Sequence, residues 1–255
     1  MIRPHVVPLE GAMNVRDLGG YPTPGGSTRH GVVFRSDNLA QLTDADVRAL
    51  EEIGIRSVID LRRDDEVARD PSRLPPTVEH RVHLPMGGDA SHQVDWVQLM
   101  LDGEITDYPA SEAAAGYREM LTTHARELGA IVDHVAAHDT TPALFHCTAG
   151  KDRTGGTAML LLGLAGVPRE HIVSDYLLSN ELRARPRMAQ LAPSFAERGV
   201  DIERFRALFG APQEAIAAAL DLIDEAGGFE RYATDLGGVD PATIEQLRER
   251  LVERR

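Results

Sequence analysis

Apolar and polar side chains alternate along 77-TVEHRVHL-84, where Val78, Val82 and Leu84 fall on one side of an extended chain. Similar short apolar runs at Val32–Ser36, 56-RSVIDL-61 and 143-ALFHC-147 also read as strands, the last set off by Pro142. Between them the spacing changes to that of helices. Residues 43-TDADVRALEEIG-54 begin with Thr43 as N-cap, carry acidic residues in the first turn and meet Gly54 just past the end. From about Ala110 to His138 the apolar set Tyr117, Met120, Leu121, Leu128, Ile131, Val132 and Val135 has helical spacing. Beyond residue 150 the pattern is helical throughout. Met159–Leu164 is continuously apolar until Gly166 and Pro168, and further helices are expected over 168–184, 212–226 and 240–253, the last opened by Asp240 and Pro241.

Strands alternating with helices, followed by a run of helices, predict an α/β fold: a central, mostly parallel sheet of about four or five strands flanked by helices, with a helical C-terminal half. There is no internal repeat, low-complexity tract or long linker. The reading is one domain over 1–255. The stretch 92-HQVDWVQLML-101 puts Trp96, Leu99 and Met100 on adjoining helical faces, either as core or as part of a helical lid around 90–120.

Composition changes this picture in two ways. The net charge of −13 argues against a nucleic-acid or anionic-membrane partner, so any site for an anion must be locally positive. The single cysteine excludes an internal disulfide and makes a reducing, cytoplasmic compartment the default, with export lacking a cleaved leader left open. No apolar run reads as a signal peptide or membrane span. The histidines at 80, 83, 92, 134 and 138 match no metal-binding spacing, so neither metal nor other cofactor is expected.

Candidate chemistry gathers in 145-FHCTAGKDRTGGTA-158, which holds the only cysteine, Cys147, and the only lysine, Lys151. A strand, a glycine-bearing turn and a helix start turn several backbone N–H groups and the positive end of a helix dipole toward one point. Gly150 lets the chain curl, and Gly155 and Gly156 are expected to let the first helical turn approach the sheet. A thiol is a weak nucleophile until ionised, and a helix N-terminus with nearby cations favours the thiolate. Arg153 can offer two parallel N–H bonds to a tetrahedral dianion, and Thr154 can donate its hydroxyl to the sulfur when it leaves. The expected chemistry is phosphoryl transfer to Cys147 followed by hydrolysis, the transferred group being held by the loop.

The string HCTAGKDRTG resembles the signature of cysteine-dependent protein tyrosine phosphatases, and more narrowly that of bacterial atypical tyrosine or dual-specificity phosphatases, some of which hydrolyse phosphoinositides. The likeness extends to 14-NVRDLGG-20, 34-FRSDNLAQLTDAD-46, 58-VIDLR-62, 175-DYLLSN-180 and 232-YATDLGGVDPATIEQLRERL-251. It implies a tyrosine-phosphatase-like fold, Cys147 as phosphocysteine nucleophile and Arg153 as phosphate clamp. It also implies that the backbone of Thr148, Ala149, Gly150, Lys151, Asp152 and Arg153 lines the site. His146 would stabilise the loop and thiolate, and Lys151 would give an extra contact to multiply phosphorylated ligands. The leaving group needs a carboxylic acid. Asp89 stands first, in the place where this bacterial group carries its acid. Asp152 is second and Asp60 third, with Asp95 among the rest. Asn14, Arg16 and Asp17 either buttress the phosphate loop or cap the Gly19-Gly20 turn.

The reaction expected is hydrolysis of a phosphate monoester, with phosphotyrosine in protein as the substrate class. A phosphorylated small molecule or lipid headgroup, handled with mixed specificity, is the alternative. A sulfurtransferase and a silent phosphate-binding module are more distant readings from other classes.

Overall fold

The computed structural model describes residues 5–87 and 95–254. The strands are β1 (Arg16–Asp17), β2 (Pro22–Thr23), β3 (Gly26–Thr28), β4 (Val33–Ser36), β5 (Ser57–Asp60), β6 (His80–His83), β7 (Ala143–His146) and β8 (Val252–Arg254). The helices of the first part are α1 (Asp44–Ile53), α2 (Asp64–Arg69), α3 (Trp96–Leu101), α4 (Ala110–Thr123) and α5 (Ala125–Ala136). Those that follow the phosphate loop are α6 (Asp152–Leu164), α7 (Arg169–Leu177), α8 (Arg185–Glu197), α9 (Arg206–Phe209), α10 (Gln213–Glu225), α11 (Phe229–Arg231) and α12 (Pro241–Leu251).

The central sheet has five strands in the order β1-β4-β7-β5-β6. Only the two-residue β1 runs antiparallel; β4, β7, β5 and β6 are parallel. The expected α/β architecture with a mostly parallel sheet is therefore present. Alternate side chains of the inner strands feed two cores. Val33, Ile59 and Phe145 enter the larger one, under α4, α5, α6, α10 and α12, while Phe34, Val58 and Leu144 enter a smaller one with Leu50 of α1. Strands buried on both faces read as short continuous apolar runs, as these do.

Local chemistry sets the element ends. Thr43 caps α1 by accepting from Asp46 N, and the Asp46 carboxylate returns to Thr43 N at 2.9 Å, a closed capping box. The helix expected over 110–138 is two helices, because the chain turns at His124 before Ala125 begins α5. The one expected over 168–184 stops at Leu177; a π-helical turn, Asn180–Ala184, then leads into α8. The last helix ends at Leu251, and Val252–Arg254 pair with β3 to complete a small sheet, β2-β3-β8.

A third apolar cluster lies apart from the two cores. Met100 of α3, Phe195 of α8 and Phe205 form its buried centre, with Leu191, Leu208 and Phe209 around them. Trp96 is not core: it is 45% exposed and stands edge-on to Tyr108, with ring centroids 6.3 Å apart. Among the described residues no helix is long and apolar enough to cross a membrane.

Candidate active site

The loop between β7 and α6 emerges at the carboxyl edge of the parallel sheet, flanked by the ends of β4 and β5. This is where open α/β sheets place their ligands. Asn38 N donates to Thr148 O at 3.3 Å, which ties the loop to the segment after β4. Gly150 adopts φ +62°, and a Cβ there would stand 2.5 Å from Ser36 O, so both conformation and space demand glycine. Gly155 and Gly156 also serve close approach, but not to the sheet as expected. A Cβ at Gly155 would meet Tyr117 Oη at 2.7 Å and the Tyr176 ring, and one at Gly156 would meet Met120, so these glycines admit α4 and α7 against α6.

A buried polar network fixes the loop from behind. The Gly150 carbonyl accepts from Asn14 Nδ2 at 2.7 Å and from Arg35 Nη2 at 2.9 Å. Arg35 and Arg16 both bind the Asp175 carboxylate, at 2.5 and 2.8 Å, and Tyr21 Oη donates to it at 3.0 Å. Burial opposes ionisation of Asp175, but the two guanidiniums prevail and hold its pKa down at about 2. Two buried cations against one anion leave net positive charge behind the loop, as an anion site requires. Asn14 also donates to Ser179 Oγ at 3.1 Å. Thus Asn14 buttresses the loop directly and Arg16 does so through Asn14 and Asp175. Asp17 caps locally: it accepts from Gly19 N and Gly31 N and faces His30, without reaching the loop.

Cys147 stands at the base of the loop, 2% exposed. Arg153, the second residue of α6, is held by a residue that the sequence did not single out. Glu66 of α2 accepts from its Nη1 at 2.6 Å and its Nη2 at 3.0 Å, a two-pronged pair. Glu66 also accepts from Thr148 Oγ1 at 2.5 Å and from Arg63 N at 2.9 Å. Burial alone would push the Glu66 pKa up, yet the Arg153 bonds, the Thr148 hydroxyl and the Arg63 N–H bring it down to about 2. For Arg153, burial acts to lower the pKa, but the charges of Cys147 and Glu66 outweigh it and the net shift is upward. The guanidinium is thereby kept charged and its plane fixed.

Thr154 Oγ1 is fully buried with no hydrogen-bond partner among the described residues, leaving its hydroxyl free for a group at the loop. His146 is wholly buried. Its Nδ1 faces Cys147 O at 3.3 Å, and its Nε2 lies 3.5 Å from Asp60, too poorly aligned for a hydrogen bond. Burial drives its pKa down to about 4, which favours the neutral ring. Lys151 does not present its ammonium to the loop's mouth: Nζ donates to Leu208 O at 2.6 Å and lies 3.4 Å from Asp152 Oδ1.

The carboxylic acids separate clearly. Asp89 lies outside the described residues. Asp152 is half-exposed at the start of α6, beside Lys151. Asp60 is bound by Arg62 at 2.6 Å; although burial opposes this, the Arg62 bonds hold it below the usual carboxylate range, in the wrong state to donate a proton. Asp95 caps α3, accepting from Gln98 N at 3.1 Å. No cluster of three or more His, Cys, Asp or Glu side chains able to hold a metal occurs among the described residues. A cleft of about 950 Å³ between α8 and 202–214, lined by Tyr108, Met188 and Ile202, contains no residue of the phosphate loop.

A model of the tyrosine phosphatase family matches residues 7–253, nearly the entire chain. The chain belongs to the tyrosine phosphatase family. One relative of this phosphatase is the triple specificity protein phosphatase PtpB of Mycobacterium tuberculosis, 35% identical over 272 residues, covering 94% of this chain and 96% of that one. A tyrosine-protein phosphatase of Nostoc commune is 35% identical over 230 residues, covering 85% of this chain and 73% of the other. Among solved structures, the core catalytic domain of the PP-IP phosphatase SIW14 from S. cerevisiae aligns at 17% identity with a TM-score of 0.36, covering 68% of this phosphatase and 78% of that domain.

Proposed function

We propose that this phosphatase hydrolyses phosphotyrosine in proteins through a covalent intermediate on Cys147. The observation that carries the proposal is the Glu66–Arg153 fork. It fixes the plane of the Arg153 guanidinium, charged, within six residues of the buried cysteine of the same loop before any ligand arrives.

In the first step the Cys147 thiolate attacks phosphorus, an S–P bond forms and the ester P–O bond breaks. The leaving oxygen takes a proton from a carboxylic acid, for which Asp89 remains first choice and half-exposed Asp152 second. In the next step water attacks phosphorus, its proton passes to the same carboxylate, the S–P bond breaks and inorganic phosphate leaves. The backbone N–H groups of Thr148 to Arg153 and the positive charge of the Arg153 guanidinium hold the charge on the transferred group. Thr154, whose buried hydroxyl is otherwise unpartnered, donates to the sulfur as it departs. Neutral His146 supports the loop from the strand side. The chain acts as one domain, with α4 packed against α6 and α10 and with α3 in the outer apolar cluster.

Mixed specificity is the second reading, favoured by the relative named as a triple specificity phosphatase. The withdrawal of Lys151 onto Leu208 O argues against multiply phosphorylated ligands as its main substrates. The experiment is phosphate release from a phosphotyrosine peptide, a phosphoserine peptide and a monophosphoinositide, by wild type and Cys147→Ser. The expected result is fastest turnover of the phosphotyrosine peptide, with turnover lost and binding kept in the variant. Failure on that peptide with turnover of the lipid would replace the first reading by the second. Transfer of sulfur from thiosulfate to cyanide would expose the sulfurtransferase alternative.

A further inference from the structure

The peptide unit between Met86 and Gly87 is gripped from both sides. Its carbonyl, Met86 O, accepts from Arg153 Nη1 at 3.2 Å, and its N–H, on Gly87, donates to His124 Nε2 at 2.9 Å. In a trans peptide these two groups point in opposite directions, so bonds at both fix the plane between them. Gly87 adopts φ +142°, a region that disfavours side chains, and a Cβ there would press on Arg63 at 3.0 Å. Met86 itself is fully buried, and its N–H bonds Leu61 O at 3.2 Å. Chain conformation, packing and hydrogen bonds thus agree on one orientation of this peptide.

His124 sits where the chain turns from α4 into α5, its side chain only 12% exposed. Because a backbone N–H can only donate, Nε2 must supply the lone pair and Nδ1 must carry the ring proton. Nδ1 faces Glu127 Oε1 at 3.3 Å, which suits that proton. Arg153 in turn needs the carbonyl. Nη1 has two protons; Glu66 takes one, and Leu61 O and Met86 O, at 3.3 and 3.2 Å, share the other. A carboxylate can pair with a guanidinium end-on, through both Nη atoms, or side-on, through Nε and one Nη. The backbone acceptors on Nη1 select the end-on pairing with Glu66, which leaves Nε for an anion. Hydrogen bonds in a chain polarise one another, so the bond from Gly87 N to His124 strengthens Met86 O as an acceptor.

We infer that His124 is a positioning residue of the active site, acting through the Met86–Gly87 peptide to hold the Arg153 guanidinium in its phosphate-binding orientation. This rests on the reading of Arg153 as the phosphate clamp. His124 contacts no substrate in this role; it sets the group that does.

The test uses two substitutions. His124→Leu fills similar space without an acceptor, and His124→Gln returns an acceptor at similar reach. The Leu variant should lose about fivefold in kcat/KM, the effect of one hydrogen bond, and the Gln variant should recover most of it. The loss should be equal for a phosphotyrosine peptide and for p-nitrophenyl phosphate, whose leaving group departs without a proton. In an Arg153→Lys background, which has no plane to orient, His124→Leu should change kcat/KM less than about twofold. Equal losses in the two backgrounds, or a Gln variant as slow as the Leu variant, overturn the inference and leave His124 a structural residue. A loss confined to the peptide overturns it as well, because His124 would then act on leaving-group protonation. Cys147→Ser and Arg153→Lys separate the two levels. If neither slows hydrolysis, the phosphatase reading falls and takes this one with it; if both do while His124→Leu matches wild type, only His124 is removed.

Discussion

The network behind the phosphate loop and the outer apolar cluster are built by opposite means. Behind the loop, Asn14, Arg16, Arg35, Asp175 and Ser179 are all at most 3% exposed and bonded to one another or to Gly150. In the outer cluster, α3, α8 and residues 202–209 share apolar side chains centred on three buried ones. Polar contacts from Arg183 to Asp37 and from Lys151 to Leu208 O join these segments to the residues around the loop. A cradle that must stabilise charge without reorganising needs fixed dipoles. A small cluster with few buried side chains opens at a lower cost than such a bonded network. The two regions differ in how readily they yield.

The largest break should come from the buried network. Asp175→Asn removes the single carboxylate between two buried guanidiniums, and losing one partner of such a cluster costs about 3–5 kcal/mol. Urea unfolding should show that loss together with falling activity, since Arg35 also holds Gly150 O. A change below about 1 kcal/mol would mean that the network does not carry the loop.

Away from that network, Phe205→Ala empties the centre of the outer cluster, where the Phe195 and Phe205 ring centroids are 6.1 Å apart. Removal of a core phenylalanine costs about 3 kcal/mol or more. Here the cost should appear as faster amide exchange over 195–209, with the global unfolding midpoint moving much less. One cooperative loss across the whole chain would erase the distinction between network and cluster.

A smaller effect sharpens the link between the clamp and pH. Glu66 has its pKa brought from 4.5 to about 2, so its pairing with Arg153 stabilises the fold fully above pH 4.5 and loses that contribution as pH falls toward 2. Glu66→Gln should be less stable than wild type at neutral pH, and the gap should close through that window. The variant should also lose about tenfold in kcat/KM, equivalent to about 1.4 kcal/mol in the transition state. A gap that does not vary with pH would show that Glu66 is not the partner fixing the Arg153 plane.

What was legible in the sequence was local or periodic. The strand, loop and helix at 143–164 lie within one short string, and the inner parallel strands β4, β5 and β7 announce themselves by largely buried apolar runs. The hidden parts depend on distance along the chain. Glu66 meets Arg153 across 87 residues and Asp175 meets Arg35 across 140, with no local pattern linking either pair. DYLLSN stood out as a string, yet nothing in it disclosed that Asp175 and Ser179 lie behind the loop. Strands of two or three residues such as β1, β2 and β3 are too short to carry a period. Lys151 was misleading for a related reason: its position in the loop was plain, but its ammonium is claimed by Leu208, 57 residues on.

The most direct test is to catch the intermediate. Wild type mixed with a phosphotyrosine peptide carrying labelled phosphate, quenched during turnover and mapped by digestion, should bear label on the peptide containing Cys147, and Cys147→Ser should bear none. Label on another residue, or rapid phosphate release with no labelled enzyme at any quench time, would contradict a mechanism built on that sulfur.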